Sequence, residues 1–300
     1  MAPKMSAEAA GPVRRHLEVP KETRALPDAP FKIENHLTAH PLFERERIIR
    51  LLKTMPRKGV EIRGVESLGT HDGSYKRGPM LTDADPVDTL ERMDEKPSWM
   101  LLHDMWTVDP EYNRLLQEYV GQLASRLGED PEDLSDVGCW LFLSSGRCVV
   151  HFHADPDQSF LNQIRGSKTV YVYPARVLPE TVVEKLVHTG NQGAVVYDPA
   201  YEPQMFPPTH LDPGDSVFLP LFAPHRVIND PGLSVSWNVG FHTRRSRRRR
   251  TLHLVNLELR QLGLRPTGYG RRPAVDAVKG SMNLALRAKN RLFGRTKIEI

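Results

Sequence analysis

His153-Ala-Asp155 is where this sequence could do chemistry. On a β-strand, residues i and i+2 leave the same face, so an imidazole and a carboxylate at that spacing can converge on one ion. Thirteen residues past Asp155 stands Lys168, at the head of the run Thr-Val-Tyr-Val-Tyr. Seventy residues past Asp155 stands an isolated histidine, His225, between Phe-Leu-Pro-Leu-Phe-Ala-Pro and Arg-Val-Ile-Asn. Two imidazoles and one carboxylate on one side of a metal leave its other positions open for a co-substrate and dioxygen. That donor set belongs to non-haem Fe(II).

Residue types alone leave rivals in place. His151 is two residues before His153 and, on an unbroken strand, would share its face. Asp157 competes with Asp155, although Pro156 between them should turn the chain. Lys168 could be a solvated strand-edge lysine, and His225 a satisfied core histidine. His188, His210 and His242 read as ordinary residues, and Trp237 and Tyr171 as packing groups in or near the core.

The elements that must position these groups are short and β-type. Cys139-Trp-Leu-Phe-Leu, Cys148-Val-Val-His-Phe-His, Lys168-Thr-Val-Tyr-Val-Tyr, Ser216-Val-Phe-Leu-Pro, Arg226-Val-Ile and Leu233-Ser-Val-Ser-Trp-Asn-Val are bounded by Gly, Pro, Asp or Asn. Only 179–188 reads as a helix among them. Many short strands separated by turn chemistry predict a closed barrel or jelly roll. The spacing predicts a helix over 109–127, with Asp109 as N-cap, Pro110 in the first turn and Gly128 at its end. Its apolar stripe runs through Tyr112, Leu115, Leu116, Tyr119, Val120, Leu123 and Leu127. A second helix is predicted from Pro41, with Ile48, Ile49, Leu51 and Leu52 on its apolar side; residues 57–90 show weak pattern and stay unassigned.

The expected organisation is a flexible N-terminal arm (1–30), a helical flank (31–130), a jelly-roll core (131–243) and a basic C-terminal helical region (244–300). From Arg244 onward there are 16 Lys+Arg against 3 Asp+Glu, a net of +13, which leaves −9 for residues 1–243. The run Arg244-Arg-Ser-Arg-Arg-Arg-Arg250 could meet nucleic acid or an acidic partner. No RNA-binding signature or aromatic interleaving accompanies it, so a solvated helix start, or docking on the acidic body of the same chain, is the simpler reading. Leu252, Val255, Leu259 and Leu262 share a face that needs a cover, either the barrel flank or a second subunit, which makes a homodimer through the C-terminal helices an expectation. A last helix is expected from about Val275 to Leu292.

Two cysteines, Cys139 and Cys148, are too few for a disulfide framework and read as buried thiols in a reducing compartment. No apolar run spans a bilayer and no secretory signal stands near Met1, so no membrane association and a cytoplasmic location are expected.

Four motifs together resemble the Jumonji-type, cupin-like family of Fe(II)- and 2-oxoglutarate-dependent oxygenases. They are His153-Ala-Asp155, Gln163-Ile-Arg-Gly-Ser-Lys168, Pro213-Gly-Asp-Ser-Val-Phe-Leu-Pro220, and His225 five residues after that proline. The likeness covers about a third of the chain, from Trp140 to His242. It is nearest to the asparaginyl hydroxylases that modify the hypoxia-inducible factor and to bacterial cupin-like proteins. The resemblance implies a double-stranded β-helix, a jelly-roll core with flanking N- and C-terminal helices. It also implies Fe(II) on His153, Asp155 and His225, with Lys168 pairing with the distal carboxylate of 2-oxoglutarate. Asn238 falls where relatives place an asparagine near metal and co-substrate. Two positions depart: Val150 stands where relatives have threonine, and Ser159 where they have asparagine, so Ser159 is expected to help finish the co-substrate pocket differently.

The expected activity is therefore hydroxylation of a C–H bond of a protein or peptide side chain, or of a small biosynthetic intermediate, with succinate and CO2 as products. The alternative is a cupin-like binding or scaffold protein without catalysis, working through its basic C-terminal region.

Overall fold

The computed structural model describes residues 15–19, 26–65, 78–190, 192 and 195–282 of the 300-residue chain. Three strands and four helices precede the core. They are β1 (Phe31–Glu34), α1 (Arg45–Thr54), β2 (Val60–Gly64), α2 (Pro86–Glu91), β3 (Ser98–His103), α3 (Met105–Val108) and α4 (Pro110–Leu127). Eight strands follow: β4 (Ser135–Ser144), β5 (Val149–His153), β6 (Gln158–Arg165), β7 (Lys168–Val172), β8 (Thr209–Leu211), β9 (Asp215–Leu219), β10 (His225–Asn229) and β11 (Ser234–His242). Helix α5 (Glu180–Thr189) is inserted between β7 and β8, and α6 (Arg244–Gln261) follows β11.

The eight core strands divide into β4, β11, β6 and β9 in one sheet and β5, β10, β7 and β8 in the other, all pairs antiparallel. This is the strand order of a double-stranded β-helix. The larger sheet continues to seven strands, with β1 beyond β9 and β3 then β2 beyond β4. Residues 31–130, expected as a helical flank, thus supply three strands as well as helices. Trp99 to Leu102 escaped the sequence reading because β3 is buried along nearly its whole length and shows no polar alternation.

Alternation in the larger sheet separates packing from chemistry. Cys139, Leu141 and Leu143 of β4, with Trp237, Val239 and Phe241 of β11, join one core with the stripe of α4. Trp237 is fully buried there, 5.2 Å from Tyr119 and 5.8 Å from Phe43. Helix α4 has its expected caps: the Asp109 carboxylate accepts from the Glu111 amide, Pro110 opens the helix, and Gly128 closes it at φ 66°. Truncating any of its buried leucines would cost about 2–5 kcal/mol. The opposite faces of β4 and β11 carry Trp140, Phe142, Asn238 and His242 toward the barrel interior.

The described part of the N-terminal arm is not free. Leu17 bridges Asn35, Leu17 and Val19 are buried, and His16 meets Glu118 at 2.9 Å. At the other end, α6 packs on α5, and Leu252 and Val255 are covered by the chain's own core; Leu259 is half-buried and Leu262 exposed. The expected last helix is described over 273–282 only, and its continuation to Leu292 lies outside the described residues. Both cysteines are buried and unpaired, and burial pushes the Cys148 thiol up to about 12. No described helix is long and apolar enough to cross a membrane.

Candidate metal and co-substrate site

His153 and His225 are direct partners across β5 and β10, with ring centroids 4.2 Å apart. Asp155 lies two residues past the end of β5, its Oδ2 3.8 Å from His225 Nε2. One ligand atom from each of the three lies within 4.8 Å of the others, and among the described residues this is the one such group of His, Cys, Asp or Glu. His153 Nδ1 is 2.8 Å from the His151 carbonyl and His225 Nδ1 is 3.1 Å from the Ala223 carbonyl. A carbonyl can only accept, so each Nδ1 carries the proton and each Nε2 keeps its lone pair for an ion. Gln192 donates to Asp155 Oδ1, which fixes the carboxylate from the far side.

The rivals fall out on geometry. Two steps along β10, from His225 to Val227, are matched by three along β5, from His153 to Val150. That extra residue is a β-bulge, and it breaks the alternation assumed for His151 and His153. His153 and Val150 meet the interior-facing His225 and Val227, while His151 sits in the bulge, half-buried and stacked 4.9 Å from the His153 ring, at the border of the same cavity but outside the three-residue group. Asp157 lines the same cavity but is not in the three-residue group. Burial, with Asp155 close by, holds its carboxyl well above the usual carboxylate range. Phe152 points away, onto Tyr173 and Tyr197.

Lys168 begins β7 and is almost fully buried. Its Nζ donates to Ser236 Oγ at 2.6 Å, and that hydroxyl donates to Gln163 Oε1 at 2.8 Å. No carboxylate of the described residues lies within ion-pair distance of it. Burial lowers its pKa to about 8, because nothing nearby offsets the lost hydration. The Gln163 amide nitrogen donates to the carbonyls of Arg165 and Gly166 and to Ser234 Oγ. It therefore pins the turn that delivers Lys168. Gly166 is required in that turn: φ is 68°, and a Cβ would lie 2.6 Å from the Leu233 carbonyl oxygen.

Along β10, His225 and Asn229 are four residues apart, a rise of about 13 Å. His225 faces Val172 and Asn229 faces Lys168 across β7, with Val227 and Val170 between. The interior therefore runs from imidazole and carboxylate, through valine, to ammonium. Asn229 is buried with both side-chain polar atoms unpartnered, and Asn238 Oδ1 is unpartnered in the cavity wall. Sequence reading missed Asn229, Ser236 and the cavity-lining His242. Their one signal was period-two placement on strands whose other face is apolar. Ser159 is buried on β6 but does not line the cavity; Leu161, two residues on, does.

His153, Asp155, His225, Lys168, Asn238 and His242 line a cavity of about 600 Å³. Its inner part is bounded by Val150, Leu161, Leu219, Val227 and Lys168, and its outer part by Trp99, Trp140 and Phe142 with Asp136, Asp157, His242 and Arg250. The arginine run is distributed over the chain's own surface. Arg244 pairs with Asp133 at 2.7 Å, Arg245 and Arg249 pair with Asp28 at 2.9 and 3.3 Å, and Arg250 turns into the cavity wall.

No family model matches this sequence, and no curated protein matches it. Among solved structures, the chain resembles the ribosomal oxygenase YcfD from Escherichia coli in complex with cobalt and 2-oxoglutarate. Identity is 17% and the TM-score 0.45, over 88% of this chain and 65% of that one. The complex of the same protein with cobalt and succinic acid gives 16% and 0.41, over 88% and 64%. The chain thus spans somewhat under two thirds of the length of these structures. At such scores the likeness does not place it in their family.

Proposed function

We propose that this chain is an Fe(II)- and 2-oxoglutarate-dependent dioxygenase that hydroxylates a substrate C–H bond and releases succinate and CO2. The observation that carries the reading is the pairing of two features in one cavity. A His153–Asp155–His225 group stands at one end, and the buried Lys168, with no carboxylate partner among the described residues, stands about two strand pleats away.

The residues fit both groups. Two neutral imidazoles with lone pairs aimed inward and one carboxylate suit Fe(II) and leave coordination positions open. A dicarboxylate with an apolar middle suits the rest: Lys168 and Ser236 meet its distal carboxylate, Val150 and Val227 its methylenes, and Asn238 and Asn229 supply unspent polar atoms. A buried ammonium is costly until an anion joins it, so co-substrate binding relieves a penalty the fold already carries. When bound, the iron supplies the oxidative chemistry that splits dioxygen between co-substrate and substrate. The chain's part is placement. The carbonyls of His151 and Ala223 orient the imidazoles, Gln192 orients Asp155, and the apolar walls keep water from the reacting atoms.

The resemblance to asparaginyl hydroxylases supports a protein or peptide side chain as substrate, and a small biosynthetic intermediate remains the other class. An experiment on the reaction class is an anaerobic Fe(II) titration with 2-oxoglutarate, followed for the weak visible metal-to-ligand charge-transfer band and then for succinate on admitting air. Both signals are expected. Absence of both would leave the cupin-like binding protein as the better account.

A further inference from the structure

Resting on that reading, we infer that Arg250 is the substrate anchor and that the substrate carries a carboxylate next to an apolar or aromatic body. Four observations lead there. First, the cavity is too large for the co-substrate alone. At a full water's share of ~30 Å³ per atom, the ten heavy atoms of 2-oxoglutarate would occupy about half of the 600 Å³. Second, Arg250 enters the wall of the remaining half from α6, outside the jelly roll, whereas Arg244, Arg245 and Arg249 of the same run are paired with Asp133 or Asp28.

Third, Arg250 is the arginine of that run that lines this cavity, and it has unspent donor capacity there, whereas Arg249, whose Nε is also unpartnered, is engaged by Asp28. The Arg250 Nε is buried without a hydrogen-bond partner, and no carboxylate of the described residues lies within ion-pair distance of it. A buried guanidinium edge with unspent donors is matched by the two oxygens of a carboxylate. The neighbouring groups do not fill that role. His242 is kept neutral, its pKa pushed down to about 4 by burial with Arg250 and Arg247 nearby, and Asp136 and Asp157 line the same wall without an ion pair to Arg250 among the described residues. Fourth, Trp140, Trp99 and Phe142 form the facing shelf, with Trp99 and Phe142 rings 6.0 Å apart. An aromatic wall beside a guanidinium whose Nε is unpartnered favours a carboxylate with a flat or apolar body, held on the arginine side and away from Asp136 and Asp157 of the same wall.

Free acids and acidic side chains offer the same carboxylate. The test uses matched pairs read by quenching of cavity tryptophan fluorescence, in the full chain, with and without Fe(II) and 2-oxoglutarate. The pairs are indole-3-acetate against indole-3-acetamide, and a capped hexapeptide bearing Trp-Asp against its Trp-Asn counterpart, the latter pair followed by titration calorimetry. In at least one pair the acid should bind ten-fold or more tighter than the amide. Arg250→Gln should erase that ratio, and Arg250→Lys should restore part of it. Arg250→Gln should leave the 2-oxoglutarate affinity within two-fold, whereas Lys168→Met should weaken it at least ten-fold.

Acids that bind no better than amides in both pairs, including no binding at all, overturn the assignment. So does a loss of 2-oxoglutarate affinity in Arg250→Gln equal to that in Lys168→Met, which would make Arg250 a co-substrate residue. Because quenching is read without turnover, a missing charge-transfer band would sink the oxygenase reading while leaving the acid preference to stand or fall separately.

Discussion

His153 and His225 face each other across neighbouring strands, and each ring is held by the backbone carbonyl two residues before it, His151 for one and Ala223 for the other. The two imidazoles are therefore oriented by main chain rather than by mobile side chains.

This arrangement separates the candidate ligands cleanly. His153→Ala, Asp155→Ala and His225→Ala should each abolish the charge-transfer band and succinate formation while the protein stays folded by circular dichroism. His151→Ala should retain the band, since the His151 carbonyl, not its ring, holds His153. Loss of the band in His151→Ala with retention in His153→Ala would reverse the ligand choice.

Lys168 gives a pH dependence with a definite sign. Its folded pKa, about 8, lies below the ordinary lysine value of 10.5, so the unfolded chain binds more protons between those values. Stability of the co-substrate-free protein should therefore rise as pH increases through 8, by at most about 3 kcal/mol from this group. Cys148, with its thiol pushed up to about 12, works in the opposite direction above pH 9. The readout is consequently the difference between wild type and Lys168→Met in urea denaturation at pH 7, 8 and 9. The variant should be more stable at pH 7, with the gap narrowing by about 1 kcal/mol at pH 9 and closing only as pH approaches 10.5. Adding 2-oxoglutarate should raise the Tm of wild type and not of the variant.

Gly240 tests the outer cavity. A Cβ there would lie 2.2 Å from Asp157 Oδ2 and 2.7 Å from the Trp140 ring. Gly240→Ala must displace both, at a cost of about 1–3 kcal/mol. Denaturation should report that loss, while the Fe(II)/2-oxoglutarate band survives because neither displaced group is among the three proposed ligands. A variant as stable as wild type would mean that this wall yields freely.

How much of this was legible beforehand follows from burial. The ligand strand, the lysine strand and α4 declared themselves through alternation, caps and a one-sided stripe. Strand β3 did not, because helices cover one side of its sheet and the barrel the other, leaving no polar face to mark the period. The bulge in β5 was equally silent: an extra residue in a strand changes facing without changing composition, so His151 and His153 shared a face on the sequence and only the His-x-Asp spacing favoured His153. Arg250 was hidden inside a run whose average character is solvated, and only the position of α6 beside the cavity singles it out. Ser159 was picked by motif position alone, whereas the strand turns Leu161 into the cavity instead.

Phe222 links the basic helix to the metal end. It is a fully buried residue at φ 61°, three positions before His225, with the His253 ring 5.4 Å away and Arg249 over its face at 5.5 Å. A left-handed phenylalanine is strained, and it holds only while its surroundings clamp it. The clamp includes a histidine whose pKa is pushed down to about 4 by burial, with Arg249 and Lys279 adding to the effect. Because the folded pKa lies below the ordinary histidine value of 6.5, this contribution is complete above pH 6.5 and is lost as pH falls toward 4. Wild type should therefore lose up to about 3 kcal/mol from this group across that interval, on top of what His242 contributes in the same direction. His253→Phe should flatten the slope without weakening the Fe(II) titration at pH 7. Phe222→Ala should cost about 3–5 kcal/mol and lower Fe(II) affinity ten-fold or more, because the loop that presents the Ala223 carbonyl to His225 loses its anchor. Equal Fe(II) affinity in Phe222→Ala and wild type would show that His225 is oriented without help from α6.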